Sequence, residues 1–383
     1  MENIAGKKPA LSWAKNIAMA AMVLIWVIPT FGLLVSSFRD RDQISATGWW
    51  QAMLPVELTA RARTGTEATP DGPLFRVEGN IFDDEEARSY FSGTPGDISA
   101  FGTRGAEPTT YPAGTTGDLG DGETLTVNAD GSYVWITPEK PGSRGQRVYF
   151  AAESPPKLTL DNYRTVLSGD NMGRAFLNTL IVAVPATFIP ILVAAFAAYS
   201  LAWMEFPIRG LLIAGIVGLL VVPIQLALVP VLNLHNDIGV GQSFVGIWLA
   251  HTGFGMPLAV YLLRNYMAGL PRDIIECARV DGATDFQIFT KIILPLSLPA
   301  LASFAIFQFL WTWNDLLVAK VFLPSADEAK VMTVKIADDL LGSRGGDWGI
   351  LAAAAFVSIA VPLGVFFSLQ RFLVRGLLAG SVK

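Results

Sequence analysis

Few side chains in this 383-residue chain could carry covalent catalysis or bind a metal: it holds one cysteine, Cys277, and two histidines, His235 and His251. A lone thiol forms no disulfide within its chain, and two imidazoles with one thiol fall short of a four-ligand zinc site. Asp83, Asp84, Glu85 and Glu86 form a tight acidic group. A glycosidase needs two carboxyls apposed by folding, however, and the run lacks the spacing of a calcium loop. It reads as a solvated face. No G-x-x-x-x-G-K-[ST] phosphate loop occurs, so nucleotide binding is not expected. No catalytic, metal-binding or cofactor-binding residue is therefore assigned.

The stretch 264–297 offers a mechanical chemistry instead. Pro271 suits the first turn of a helix, where its missing N–H costs nothing, and Asp273 complements that positive end. Asp281-Gly282 offers a turn, after which Phe286, Phe289 and Ile293 fall at helical spacing and form a second apolar stripe. Two short helices at an angle would make a knuckle. Cys277, Ala278, Gly282 and Ala283 are small enough for another protein surface to come close, and Glu276 presents a carboxylate to a basic partner.

The elements that must hold this knuckle are membrane spans. Hydrophobic residues make up 52% of the chain and charged ones 16%, against roughly 25% charged in a soluble domain. With 28 Lys and Arg against 33 Asp and Glu, the net charge of -5 leaves no basic field for nucleic acid. Six runs approach the ~20 apolar residues needed to cross a hydrocarbon core: 17–36, 175–203, 211–232, 244–263, 298–319 and 349–372. Pro29, Pro185, Pro190, Pro223, Pro230, Pro257 and Pro362 are expected to kink spans without ending them, because neighbouring helices can satisfy the freed carbonyls. Lys7, Lys8, Lys15, Arg209, Arg264, Arg272, Arg279, Lys291, Arg371, Arg375 and Lys383 fall on one side if the spans alternate, with Arg39 and Arg41 opposed. That side is the cytoplasm, with both termini in it. The first run exceeds the length of a cleaved signal and reads as a retained anchor.

Segment 37–174 differs in composition and is expected outside the cytoplasm. Thr124–Val127 and Ser132–Thr137, joined by Asn128-Ala129-Asp130-Gly131, read as a hairpin, with Leu74–Val77 and Gln146–Ala151 as further strands. A small β-rich module is expected at about 57–157, with Pro155-Pro156 as a stiff exit. The remaining organisation is a cytoplasmic tail at 1–16, a five-helix core over 175–372 and a cytoplasmic tail at 373–383. The expected fold is thus an all-α polytopic membrane protein with an inserted β-rich module between its first two spans.

Glu276, Ala278, Gly282, Ile292, Leu294 and Pro295 match the pattern E-A-A, three residues, G, nine residues, I-x-L-P. In this the chain resembles the permease subunits of ATP-binding-cassette importers, with Cys277 standing where that family usually has Ala. Residues 158–163, Asn178-Thr179-Leu180, 198–202, Trp313-Asn314-Asp315 and the tail 370–383 resemble successive landmarks of the maltose class of sugar permeases. The similarity covers the first span and 158–383, and the length of the insertion is similar to that of the α-glucoside branch.

The resemblance implies a type I importer permease of the bacterial plasma membrane, not an enzyme. It would work with a second permease subunit in a heterodimer, two copies of an ATP-binding subunit that carry ATP and Mg, and an extracytoplasmic solute-binding protein. The coupling residues it implies are Glu276, Cys277, Ala278, Asp281, Gly282, Ala283, Ile292, Leu294 and Pro295, with Glu276 pairing to an ATPase arginine and the tail 376–383 adding a contact. A path for a neutral sugar needs hydrogen-bonding groups at mid-membrane, and Gln225, Gln308, Asn314 and Asp315, with Trp311 and Trp313, are the candidates. The outer loop 320–348, ending in 342–346, either reaches the solute-binding protein, as the resemblance implies, or is a flexible connector. Two other readings compete: an ion-coupled secondary transporter, which wants buried ionisable groups and repeated halves, and a membrane-anchored receptor, which leaves the knuckle unexplained.

Overall fold

A computed structural model describes residues 10–91, 95–169, 171–340 and 347–379, with side chains of 12–338 and 347–372 within those ranges. It divides into two units, Met1–Tyr163 with Asp347–Ala353 and Arg164–Gly346 with Ala354–Lys383. The Gly-rich run 342–346 and the ends 1–9 and 380–383 lie outside the described residues.

In the first unit, α1 (Ala10–Ser37) is an apolar helix with Pro29 inside it and most of its side chains exposed. A helix apolar on every face and unburied within its own chain is suited to lipid. After α2 (Arg41–Ala46) come β1 (Val56–Arg63), β2 (Thr69–Asp71), β3 (Leu74–Asn80) and the short α3 (Glu85–Tyr90). Then follow β4 (Ile98–Gly102), β5 (Tyr111–Pro112), β6 (Thr116–Gly120), β7 (Glu123–Val127), β8 (Ser132–Thr137), β9 (Arg147–Ser154) and α4 (Asp161–Ser168).

The strands form two antiparallel sheets, ordered β1-β9-β4-β5 and β2-β3-β8-β7-β6. Alternate side chains of each sheet, among them Leu58, Phe101, Leu125, Trp135 and Phe150, bury into one shared core. Gly131 closes the β7–β8 hairpin at φ +84°, a conformation that favours glycine. Of the acidic group, three residues serve structure: Asp84 caps α3 through the amides of Glu86 and Ala87, while Glu86 pairs with Arg61 and Asp83 with Arg88.

The two chain segments that lead into and out of this module are tied together. Asn162 Nδ2 donates to the carbonyls of Ser37 and Arg39, both at 2.9 Å, and the Thr159 amide donates to Phe38 O at 2.6 Å. Gln43 donates to Pro155 O at 2.7 Å and accepts from the Lys157 amide at 2.9 Å. The Ser37 hydroxyl meets Tyr163 OH at 2.7 Å. Residues 158–163 thus form half of a hydrogen-bonded neck.

The second unit is helical. It contains α5 (Met172–Trp203), α6 (Arg209–Leu219), α7 (Ile224–Asp237), α8 (Phe244–Ala268), α9 (Arg272–Val280), α10 (Asp285–Ile288), α11 (Leu294–Leu296) and α12 (Leu298–Trp313). Beyond these lie α13 (Leu317–Phe322) and α14 (Met332–Lys335), and α15 (Trp348–Ala379) lends it most of its length. Among the described residues four helices, α1, α5, α8 and α15, are long and apolar enough to cross a membrane singly, and two bent pairs bring the count to as many as six.

The expected spans 211–232 and 298–319 are therefore not single helices. The third breaks between α6 and α7 by 109°. Pro223 disfavours helical geometry at Val222 and stands extended at the head of α7, so it ends a helix where a kink was expected. The fifth expected span ends early, at Trp313, and α13 starts anew with its Ala319 amide held by Asp315. Its start is bent as well, by 69° between α11 and α12, where the Pro299 ring would meet the carbonyl of Pro295 in a continuous helix.

The other prolines remain inside helices, and three of them show how the bundle tolerates them. A proline at position i removes the donor to the carbonyl at i−4. For Pro185 the orphan is Ile181 O, which accepts from Trp248 Nε1 at 2.9 Å. For Pro190 it is Ala186 O, which accepts from Gln308 Nε2 at 3.1 Å, and for Pro362 it is Ser358 O, which accepts from Trp313 Nε1 at 2.8 Å. Each missing amide is replaced by a side chain from another helix.

The segment after α13 is an ordered strap over its described part. Asn178 Nδ2 donates to Glu328 O at 2.8 Å and Lys330 O at 3.0 Å, and Thr179 Oγ1 accepts the Met332 amide at 2.9 Å. Val331, Met332 and Val334 are buried. Asp327 binds Lys335 and Asn171, and these partners hold its carboxyl well below the usual carboxylate range.

Candidate functional site

The knuckle is built from short-range signals. Pro271 stands extended before α9, which carries Asp273 in its first turn and Arg279 in its last, each matching the local end of the helix dipole. At its end Gly282 takes φ +80°, and the amides of Asp281, Gly282 and Ala283 return to the carbonyls of Cys277, Arg279 and Ala278. Helix α10 then starts on a capping box: Gln287 N donates to Thr284 Oγ1 at 3.3 Å and Thr284 N to Gln287 Oε1 at 2.9 Å. Arg279 reaches Asp285 at 3.3 Å across the corner.

The inner face of the knuckle is rooted in the helical core. Ile275, Ile288, Phe289 and Ile293 are buried against Leu263, Met267, Tyr199 and Phe304. The Phe289 ring lies 4.7 Å from that of Phe196 and 5.2 Å from that of Tyr199. Between α10 and α11 the helix widens to a π turn over Phe289–Ile293, next to Pro295, which lacks an amide to continue the ladder.

The outer face is open. Glu276, Cys277, Asp281, Gly282 and Pro295 are exposed, whereas Ala278, Ala283, Ile292 and Leu294 are half-buried. The small residues thus divide: Ala278 and Ala283 let the knuckle pack inward, and Cys277 and Gly282 face out. Nothing lies within 4 Å of where a Gly282 Cβ would stand. Phe286 does not join Phe289 and Ile293; it is 65% exposed, as Val280 is at 88%. These two exposed apolar residues, with Ile274, are the part of the outer face that periodicity missed. The Thr284-x-x-Gln287 spacing was the signal available for the turn between the helices.

A second feature is a cavity of about 620 Å³ lined by α6, α7, α8 and α12. Its walls are apolar residues such as Val231, Leu249, Phe254 and Leu258, with Gln225, Gln308 and Trp311 as polar exceptions. Gln308 is fixed by its bond to Ala186 O, and a Cβ at Gly255 would come within 2.7 Å of its Oε1, so the glycine makes room for the amide.

The other two polar candidates do not line it. Asn314 bonds Leu310 O at the end of α12. Asp315 accepts the Ala319 amide of α13 and lies 3.8 Å from Nε2 of the fully buried His251, whose ring is edge-on to Trp311. Trp313 is buried against Phe309 and Phe176. Both Asn314 and Asp315 sit where a helix breaks, and each side chain bonds a backbone group there.

Comparison with known proteins gives this geometry a family. The family described as "Binding-protein-dependent transport system inner membrane component" matches residues 168–378, more than half of the chain. The alpha-glucoside transport system permease protein AglG of Rhizobium meliloti (strain 1021) is 56% identical over 385 residues, 98% of this chain and 98% of that protein. The osmoprotective compounds uptake permease protein GgtD of Synechocystis sp. (strain ATCC 27184 / PCC 6803 / Kazusa) is 58% identical over 224 residues, 58% of this chain and 75% of the relative. Among solved structures, a bacterial ABC transporter involved in the import of the acidic polysaccharide alginate aligns at 21% identity and a TM-score of 0.47, covering 57% of this chain and 80% of that one.

Proposed function

This chain belongs to the family of binding-protein-dependent transport system inner membrane components, and on that premise we propose that it forms part of the translocation path of an ATP-driven importer for an α-glucoside. It is a multi-pass membrane permease and not an enzyme. The observation that carries the proposal is the knuckle: an outer face on which Glu276, Cys277, Asp281 and Gly282 stand exposed, on a root of Ile275, Ile288, Phe289 and Ile293 shared with the membrane helices. A partner gripping such a face moves the helices behind it, because a close-packed root transmits displacement.

That partner is a separate ATPase, present in two copies, which binds ATP and Mg and offers a basic side chain to Glu276. A second permease, a different chain, completes the path, and an extracytoplasmic solute-binding protein delivers the cargo. The Lys and Arg asymmetry supports both termini in the cytoplasm of a bacterium. The cargo class rests on AglG, whose name states alpha-glucoside transport, and on a cavity whose described lining holds two amides, an indole and no charged group. Amides suit hydroxyls, and an indole face suits the apolar face of a pyranose.

Purification from the native membrane without crosslinker tests the assembly. A stoichiometric ATPase is expected to accompany the chain, and uptake driven by a proton gradient without ATP would refute the reading. Deletion of the gene should abolish uptake of radiolabelled α-glucoside disaccharides, while unchanged uptake of all of them would remove the cargo assignment.

A further inference from the structure

Between α2 and β1 the chain runs from Ala46 to Pro55 without a charged residue, and Trp50, Met53 and Leu54 stand 71%, 72% and 55% exposed. Three large apolar side chains within five residues are poorly suited to water. The segment is also held in place. The Arg39 guanidinium, 1% exposed, donates to Gln43 O and Thr47 O at 2.9 Å each and to Thr47 Oγ1 at 2.6 Å, which fixes the turn after α2. Backbone bonds from Gln51 to Gly48, Ala52 to Trp49 and Leu54 to Gln51 coil the stretch that follows.

This coil folds back along α1. The Trp49 ring meets Phe31 edge-on at 6.0 Å, and it lies so close over Gly32 that a Cβ there would come within 2.6 Å of the indole. Phe31 is six residues inside the Ser37 end, a depth of about 9 Å at the rise of an α-helix. Phe31 and Leu33 are themselves half exposed on a helix long and apolar enough to span a membrane. The coil that carries the patch is therefore seated, through Trp49, on the apolar surface of α1.

We propose that Trp49–Leu54 is a membrane seat: Trp50, Met53 and Leu54 enter the boundary between lipid headgroups and acyl chains beside α1 and anchor the root of the β-module to the bilayer. Tryptophan suits that depth, since its ring is apolar and its N–H finds water or a headgroup. The Arg39 turn sets the height of the coil on α1, and the uncharged stretch removes the cost of placing it there.

The single cysteine makes the test direct. In a Cys277→Ala background, full-length chain in phospholipid vesicles is spin-labelled at Met53→Cys, at Ile25→Cys inside α1 and at Lys140→Cys on the exposed surface of the module. Collision rates with oxygen, which concentrates in lipid, and with a water-soluble nickel chelate are then compared. The Met53 label is expected to favour oxygen, as the Ile25 label does, while the Lys140 label favours nickel. A Met53 label that behaves like Lys140 places the coil in water and overturns the proposal. Exclusion of both reagents would show a protein partner over the patch and overturn it equally.

Discussion

The knuckle and the proline-bearing helices both lack regular helical hydrogen bonds, yet they make good the loss in opposite ways. At the corner of the knuckle the orphans find partners a few residues away: Thr284 and Gln287 cap one another, and Gly282 turns the end of α9. In the bundle the orphaned carbonyls of Ile181, Ala186 and Ser358 are served by Trp248, Gln308 and Trp313, each more than 40 residues distant in sequence. A locally satisfied element can move as one piece, whereas a bundle stitched by distant side chains resists separation of its helices. The contrast suits a lever attached to a wall.

The largest effect is expected where the lever meets its partner. Gly282→Arg should leave insertion and the knuckle's buried root intact but lower ATP-driven uptake by more than about tenfold, equivalent to about 1.4 kcal/mol of lost docking. Vesicle uptake and ATPase recovery measure it, and normal transport would break the comparison on the knuckle side. The left-handed backbone at Gly282 adds about 1–2 kcal/mol of strain for any side chain, so Gly282→Ala is the matched control for strain without bulk.

On the bundle side, Trp313→Phe leaves Ser358 O unpaired in a buried position and should cost about 1–3 kcal/mol. Adding Pro362→Ala returns the missing amide and should recover a large part of that loss in a denaturant titration. No recovery would mean that Trp313 matters through packing alone.

Gln308 separates structure from transport. Gln308→Leu in a Pro190→Ala background restores the bond to Ala186 O while removing the amide from the cavity. Folding should be retained and the half-saturation for cargo raised roughly three- to tenfold, the worth of one hydrogen bond of about 0.5–1.5 kcal/mol. Unchanged uptake kinetics would take Gln308 out of the path.

Thr284→Ala should cost about 1 kcal/mol by opening the capping box. Hydrogen exchange should quicken at residues 284–288 and stay unchanged in α8.

The smallest effect concerns pH. Because the Asp327 carboxyl is held below its ordinary value by Lys335 and Asn171, its contribution is fully present above the ordinary carboxylate pKa of about 4. It is lost only as the pH falls through the lower folded value. Exchange protection at residues 327–335 should therefore match at pH 8 and pH 5.

Residue types close together in the chain made several elements legible: the Asp281-Gly282 corner, the β7–β8 hairpin and the length of α1 all follow from local preferences. Pro223 ends a helix, since it disfavours helical geometry at Val222 and stands extended before α7, whereas a proline inside a helix is helped where a distant donor covers the freed carbonyl. Among described residues such donors cover the carbonyls behind Pro185, Pro190 and Pro362. Of the four polar candidates for the path, Gln225 and Gln308 line the cavity, while Asn314 and Asp315 lie outside it and bond backbone groups at helix ends. Nothing in their spacing distinguishes them.

By itself, then, the order of residues determined that apolar runs of membrane length carry an angled pair of short helices, because those features depend on bonds within a few turns. Which carbonyl receives an indole, which glutamine faces a cavity and where Trp49 rests on α1 were decided only by tertiary structure. The indole and Gln308 bonds need a donor and an acceptor from separate helices, and burial makes leaving either one unpaired costly, while the place of Trp49 is set by ring packing on Phe31 and Gly32.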